Sequence, residues 1–287
     1  MTDPVSLAPL MSSSLYVVAT PLGNLGDISQ RALDVLRGVD IIAAEDTRHS
    51  QRLLDAFGIR VRLTALHQHN EQKAADQLVH WLAEGKRVAL ISDAGTPAIS
   101  DPGARAVARV RQAGFAVVPV PGACAAVAAL SVSGFAEGGF RFVGFLPPKS
   151  AARLTVLSGL VGERDALVFY EAPHRVVECV TDMLAAFGAA RELLVAREMT
   201  KLHEEIVRLP LGEAVAWFAA DDNRVRGEFV LVVQGAPEPE GLSAEAERVL
   251  GLLLAELPLK TAARLAADIS GEPKNALYAR ALVLKRD

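Results

Sequence analysis

Val88-Ala89-Leu90-Ile91 runs directly into Ser92-Asp93-Ala94-Gly95-Thr96-Pro97. Four consecutive apolar residues suit a strand buried on both faces, and the polar, Gly- and Pro-bearing word after them suits a loop. The same junction recurs elsewhere. Leu15-Tyr16-Val17-Val18-Ala19-Thr20 meets Pro21-Leu22-Gly23-Asn24-Leu25-Gly26-Asp27, and Ile41-Ile42-Ala43-Ala44 meets Glu45-Asp46-Thr47-Arg48. Val117-Val118-Pro119-Val120 meets Pro121-Gly122-Ala123-Cys124. A helix-like pattern follows each loop, and strands alternating with helices imply a parallel sheet covered on its faces. Loops at the carboxyl ends of such strands build the ligand crevice, so these four predict one compact small-molecule site.

Residues 1–14 are small and polar, with Pro4 and Pro9, and read as a disordered N-terminal tail without a signal peptide. A first α/β domain is expected over 15–120. It includes a strand near 61–66, a helix over 71–84 capped by Asn70, and a helix over 101–113 capped by Asp101. A second α/β domain over 121–235 carries strand-like and helical segments in mixed order, which predicts antiparallel pairing. The run 236–241, Ala-Pro-Glu-Pro-Glu-Gly, is a linker by composition. Beyond it, a helical tail over 242–287 reads as three helices. The last two are separated by Gly271-Glu272-Pro273, and a plain helical cap is favoured over a helix-turn-helix.

Composition narrows the function classes. The 287 residues are 51% hydrophobic and 22% charged, with a formal net charge of −4, which argues against a bulk nucleic-acid coat but leaves room for a local basic face. Cys124 and Cys179 make neither a disulfide framework nor a zinc site. The most apolar stretch, 123–136, is shorter than a membrane span, so no membrane association and a cytoplasmic location are expected.

The chain has neither G-x-x-x-x-G-K-S/T nor, after the first strand, G-x-G-x-x-G, which counts against an ATPase and a standard NAD enzyme. Asp93 at a strand end suits an amine or ribose hydroxyls, and Gly95 lets backbone amides turn toward a ligand. Glu45-Asp46-Thr47-Arg48 is charged immediately after an apolar strand and is read as functional. His67 and His69 lie on one side of an extended segment, but no further ligands complete a metal site, so no metal is expected. Arg141, Lys149, Arg153, Glu171-Ala172-Pro173-His174-Arg175 and Arg197-Glu198-Met199-Thr200-Lys201 interleave with Phe140, Phe142, Phe145 and Tyr170. That mixture fits RNA contact by phosphate neutralisation and base stacking, and equally an aromatic core with surface cations.

Together these words resemble a known family. The loops after the first strands are similar to those of the tetrapyrrole methylase fold, a two-domain α/β fold that binds S-adenosylmethionine between its domains. Thr20-Pro21-Leu22-Gly23-Asn24-Leu25, Ala44-Glu45-Asp46-Thr47-Arg48, Ser92-Asp93-Ala94-Gly95-Thr96-Pro97 and Asp101-Pro102-Gly103 look more narrowly like the ribosomal RNA small subunit methyltransferase I family. So do Gly144-Phe145-Leu146-Pro147, Glu171-Ala172-Pro173-His174-Arg175 and Ala196-Arg197-Glu198-Met199-Thr200-Lys201, and the likeness covers roughly 15–234 and the helical tail. The first loop is less Gly-rich than in the wider superfamily, and Met199 stands where the family usually has Leu.

The resemblance implies S-adenosylmethionine-dependent 2′-O-methylation of a cytidine ribose in the decoding centre of 16S ribosomal RNA. It implies a cofactor site among Pro21, Gly23, Asp93, Gly95, Thr96, Pro121, Gly122, Ala123 and Cys124. The substrate would be 16S rRNA or the small ribosomal subunit, contacted by Arg48, His69, Lys149, Arg175 and Arg197. A homodimer is expected because related folds commonly pair. Positioning supplies much of such a rate, and a general base would add to it. Glu45, Asp46, His174 and Lys201 are the candidates for that catalytic role, and the sequence does not choose among them. Two rivals remain at this level: a tetrapyrrole (precorrin-type) C-methyltransferase, which needs a wide cleft for an anionic macrocycle, and a non-catalytic RNA- or ribosome-binding protein.

Overall fold

The computed structural model describes residues 10–67, 71–135, 138–237 and 241–285. In chain order the first half runs β1 (Ser14–Val18), α1 (Gln30–Gly38), β2 (Ile41–Ala44), α2 (Thr47–Ala56), β3 (Arg62–Ala65), α3 (Glu71–Ala83), β4 (Val88–Ile91), α4 (Ala104–Gln112) and β5 (Ala116–Val120). The strands form a parallel sheet in the order β3-β2-β4-β1-β5. Every residue of β2 and β4 is buried, which explains their unbroken apolar runs. Leu33, Leu36 and Leu54 of α1 and α2 close one face, whereas Leu78, Leu82, Ala106 and Val110 of α3 and α4 close the other.

The second half runs α5 (Ala125–Ser131), β6 (Phe140–Phe145), α6 (Ser150–Ser158), β7 (Ala166–Glu171), α7 (Val176–Phe187), β8 (Glu192–Arg197), β9 (Glu205–Pro210), α8 (Leu211–Ala219) and β10 (Phe229–Val233). Its sheet has the order β6-β7-β10-β8-β9 and is antiparallel except between β6 and β7. Leu157, Val180, Met183 and Phe218 pack on one face, and Ala126, Ala129 and Leu130 of α5 on the other. The two halves form one compact unit over 1–236.

Residues 237–287 form a second unit. It holds α9 (Ala244–Glu256), α10 (Leu259–Ser270) and α11 (Lys274–Leu284), with Gly271 in the left-handed conformation ending α10. Ala246, Leu250, Ala263, Ala266, Leu277 and Ala281 enclose a core of their own. Leu252 of α9 is exposed.

Several expectations need correction. The tail read as disordered over 1–14 is ordered by its end: Leu10 packs against the α1 core, and the Met11 N–H donates to Tyr16 Oη at 2.7 Å. Asp101 does not cap α4, which starts at Ala104 after Gly103. Glu71 at the start of α3 takes that role, accepting the Gly103 and Arg105 N–H groups at 3.0 and 3.1 Å. A carboxylate from a neighbouring helix satisfies the orphan donors just as a local cap does. The Asn70 cap and His69 lie outside the described residues. Among the described residues no helix is long and apolar enough to cross a membrane.

Candidate active site

The loops singled out in the sequence follow β1, β2, β4 and β5, which are adjacent in the sheet. Three links lace them together. Thr20 and Gly95 exchange backbone hydrogen bonds at 2.9 and 3.0 Å, joining the loops after β1 and β4. The Asp46 N–H donates to Asp93 Oδ1 at 3.1 Å, joining the loop after β2. Thr96 Oγ1 donates to the Ala123 carbonyl at 3.0 Å, joining the loop after β5. Gly95 has φ +81°, and a Cβ there would stand 3.2 Å from Leu22 Cδ2 and 3.5 Å from the Ala123 oxygen. Close backbone approach therefore requires glycine at this point.

Two cavities open from this lacework. The first, of about 330 Å³, is walled on one side by Gly95, Thr96, Asp101 and Cys124 and on the other by Phe145, Tyr170, Glu171, Met199 and Val230 of the second half. The second, of about 530 Å³, is walled by Pro21, Gly23, His49, Arg52, Asp93 and Lys201. Leu22, Ala94 and Glu228 belong to both walls, so the cavities meet there.

The first cavity is mostly apolar with a few polar groups, the usual make-up of a small-molecule site. Tyr170 anchors its far wall: its Oη accepts the Ala126 N–H at 3.0 Å, and its ring meets Phe142 and Phe145 edge-on at 5.0 and 5.8 Å. Burial pushes the Tyr170 hydroxyl above its ordinary pKa. A register shift between Phe142 and Gly144 turns the end of β6 and leaves Phe145 half exposed at the rim. Burial also raises the Asp101 carboxyl, against an opposing Ser92 hydrogen bond. Glu45 is pushed up to about 7, by burial first and then by the charges of Asp101, Asp93 and Asp46.

This geometry can be set beside known proteins. Residues 14–215 match the model of the Tetrapyrrole (Corrin/Porphyrin) Methylases, and residues 240–285 match that of the RsmI C-terminal HTH domain. The chain is 53% identical over 269 residues to a ribosomal RNA small subunit methyltransferase I of Escherichia coli O157:H7, covering 93% of this chain and 94% of the relative. It is 53% identical over 276 residues to the protein of the same name from Pseudomonas aeruginosa, covering 95% and 98%. The chain belongs to the ribosomal RNA small subunit methyltransferase I family. It is thus a methyltransferase of the tetrapyrrole methylase fold. A uroporphyrin-III-C-methyltransferase from Thermus thermophilus superposes with TM-score 0.57 at 19% identity, covering 77% of this chain and 94% of that one. A diphthine synthase superposes with TM-score 0.58 at 14% identity, covering 77% and 90%; these likenesses show the fold alone. The family's tail model is a helix-turn-helix, which corrects the preference for a plain helical cap.

Within this family member the predicted cofactor residues divide. Gly95, Thr96 and Cys124 wall the first cavity, whereas Pro21, Gly23 and Asp93 wall the second. Pro121, Gly122 and Ala123 line neither wall; Ala123 accepts from Thr96, and a Cβ at Gly122 would meet the Ala19 side chain at 2.8 Å.

The base candidates also separate. Asp46 caps α2 by accepting the Arg48 N–H at 2.8 Å, and this bond holds its carboxyl below the ordinary range. Burial works to lower the Lys201 pKa, but Lys201 donates to Glu198 and Glu228, each at 2.9 Å, and these bonds raise it above its ordinary value. Lys201 is therefore a fixed cation whose stem packs on Gly23. His174 is exposed and stands in neither wall. Glu45, like His174, stands in neither wall, but it is the candidate with a carboxyl tuned near neutrality.

The expected basic face loses two members. Arg175 donates to the Leu146 carbonyl at 2.6 Å and pairs with buried Glu171 at 3.3 Å. Arg197 is buried and pairs with Glu205 at 3.2 Å. Arg153, from the same sequence clusters, is buried against Asp182 at 2.6 Å. A guanidinium that is removed from water needs a carboxylate beside it, and each of these has one. Arg48 and Lys149 remain exposed. Sequence reasoning missed Arg52, His49 and Glu228 as wall residues and read Tyr170 only as a stacking or core aromatic. The only available signal was the turn spacing of His49 and Arg52 after the Asp46 cap.

Proposed function

We propose that this chain transfers the methyl group of S-adenosylmethionine to the 2′-hydroxyl of a cytidine ribose in the decoding centre of 16S ribosomal RNA. The observation that carries the reading is the pair of cavities meeting at Leu22, Ala94 and Glu228, in a chain about half identical, over nearly its whole length, to relatives named for small-subunit rRNA methylation. The first cavity fits the cofactor: it is largely apolar, and its Gly95 cradle is space that a Cβ would fill. When bound there, the cofactor supplies an already activated sulfonium methyl group.

The chain's own residues then do the rest. Gly95, Thr96, Cys124 and Tyr170 hold the first cavity's shape, and Leu22, Ala94 and Glu228 form the passage to the second, where the target ribose is received. Positioning of this kind supplies up to about 7–11 kcal/mol in ideal cases. Asp93, in the second cavity's wall, faces the ribose, and Glu45, close enough to feel the charges of Asp93, Asp101 and Asp46, takes the hydroxyl proton as the oxygen gains its methyl group and the sulfur leaves as the thioether. The same reading includes a cytoplasmic location, a homodimer, and Arg48, His69 and Lys149 as outer RNA contacts.

The test is transfer of labelled methyl from S-adenosylmethionine to purified small subunits and to naked 16S rRNA, with the modified sugar mapped. Label on a cytidine 2′-oxygen supports the reading, and the better acceptor identifies the substrate form. Absence of transfer to both overturns it. Sedimentation of the purified protein checks the dimer.

A further inference from the structure

The wall of the second cavity carries an exposed charge that no described residue pairs with. Arg52 of α2 stands in its wall and has no ion pair among the described residues. Lys201, in the same wall, is consumed by Glu198 and Glu228. Asp93 accepts the Asp46 N–H. Arg175, Arg197 and Arg153 all have internal carboxylates. His49 precedes Arg52 by three residues on α2, so the two share one helix face, and both wall the cavity.

The cavity is therefore polarised. Carboxylate lies at the Asp93 and Ala94 end, where it meets the first cavity, and an unpaired guanidinium lies on the α2 side. A nucleotide has the matching polarity, with a ribose hydroxyl at one point and an anionic phosphodiester beside it. A guanidinium presents donors in a fork that matches phosphate oxygens, which gives orientation as well as attraction.

We infer that Arg52, assisted by His49, binds the phosphodiester next to the target ribose and so sets which hydroxyl enters the passage at Leu22 and Ala94. This rests on the proposed RNA substrate and specifies how that substrate is registered. Arg52 is a positioning residue: it touches the backbone of the RNA and not the reacting oxygen. The sequence 45–48 drew attention to Arg48, but Arg48 is outside the cavity wall and bonds to Asp46.

Filter binding of 16S rRNA and of small subunits across a salt series tests this with wild-type protein, Arg52→Gln, His49→Ala and the control Arg60→Gln. Arg60 is exposed beyond the other end of α2. Wild-type binding should weaken with salt, and Arg52→Gln should lower the magnitude of the log–log slope by about 0.7–0.9, the value of one phosphate contact. Its affinity should drop by about tenfold or more, the usual scale for a charge-assisted hydrogen bond, with S-adenosylmethionine affinity and melting temperature unchanged. His49→Ala should weaken binding less, and Arg60→Gln should match wild type. An Arg52→Gln protein with the wild-type slope and affinity overturns the inference, as does wild-type RNA binding that ignores salt. Failure of the functional reading is seen separately, as wild-type protein that transfers no methyl group to either RNA form.

Discussion

The Glu71 carboxylate accepts the backbone N–H of Gly103 at 3.0 Å, across 32 residues of sequence. This bond, with its companion to Arg105, caps α4 from the neighbouring helix and leaves Asp101 free to stand in the wall of the first cavity. Replacing Glu71 by Ala removes the single oxygen, Oε1, that accepts both bonds, one of them from the buried Gly103 N–H. It should destabilise the protein by about 2 kcal/mol, on the scale of a lost cap or charged hydrogen bond. Urea denaturation reads the change, and an unchanged midpoint would assign the cap elsewhere.

Gly95 cannot take a side chain without strain, because its φ is +81° and Leu22 already fills the space beside it. Gly95→Val should cost about 1–3 kcal/mol of stability, the range for a residue forced into a sparsely populated backbone region. It should also abolish cofactor binding in calorimetry under conditions where the variant is still folded. Tight binding by folded Gly95→Val protein would separate the glycine from the cofactor site.

Glu45 titrates near pH 7 in the folded protein, well above an ordinary carboxyl. Between the ordinary value and about 7 the folded state holds a proton that the unfolded state has released. Stability from this group therefore falls as pH rises through that window. Glu45→Gln should flatten that part of the stability profile, gaining relative to wild type at pH 8 and not at pH 4. The rising limb of the methyl-transfer rate near pH 7 should vanish in the same variant. Parallel profiles for the two proteins would exclude the carboxyl from both effects.

The Arg153–Asp182 pair is buried in the second half, where Ser150 also donates to Asp182 at 3.0 Å. Asp182→Ala leaves the guanidinium only the exposed Glu178 carboxylate at 3.8 Å and should cost up to about 3–5 kcal/mol. The double change Arg153→Met with Asp182→Leu removes both charges and should recover most of that loss. Denaturation of the two variants measures the difference, and equal losses would show that packing, not charge, sets the cost.

The sequence by itself determined the alternation of strands and helices, the parallel first sheet and the loops that meet at one edge. Those features are written in local periodicity: buried parallel strands are continuous apolar runs, and Gly, Pro and Asp punctuate their ends. The family words around Pro21, Asp93 and Gly95 were legible for the same reason, since each is contiguous. Only the tertiary structure decided what the isolated charges do. Arg175, Arg197 and Lys201 read as a basic face in one dimension, yet each is paired: Glu171 and Glu198 stand four and three residues before Arg175 and Lys201, Glu205 reaches Arg197 from the neighbouring strand β9, and Glu228 reaches Lys201 from 27 residues on. Asp101 lost its cap to Glu71, and Arg52 has no ion pair among the described residues, although Asp93 and Glu228 stand in the same wall. A residue's charge is set by its own chemistry, but whether that charge is spent internally depends on which distant residues the fold carries to within hydrogen-bond reach.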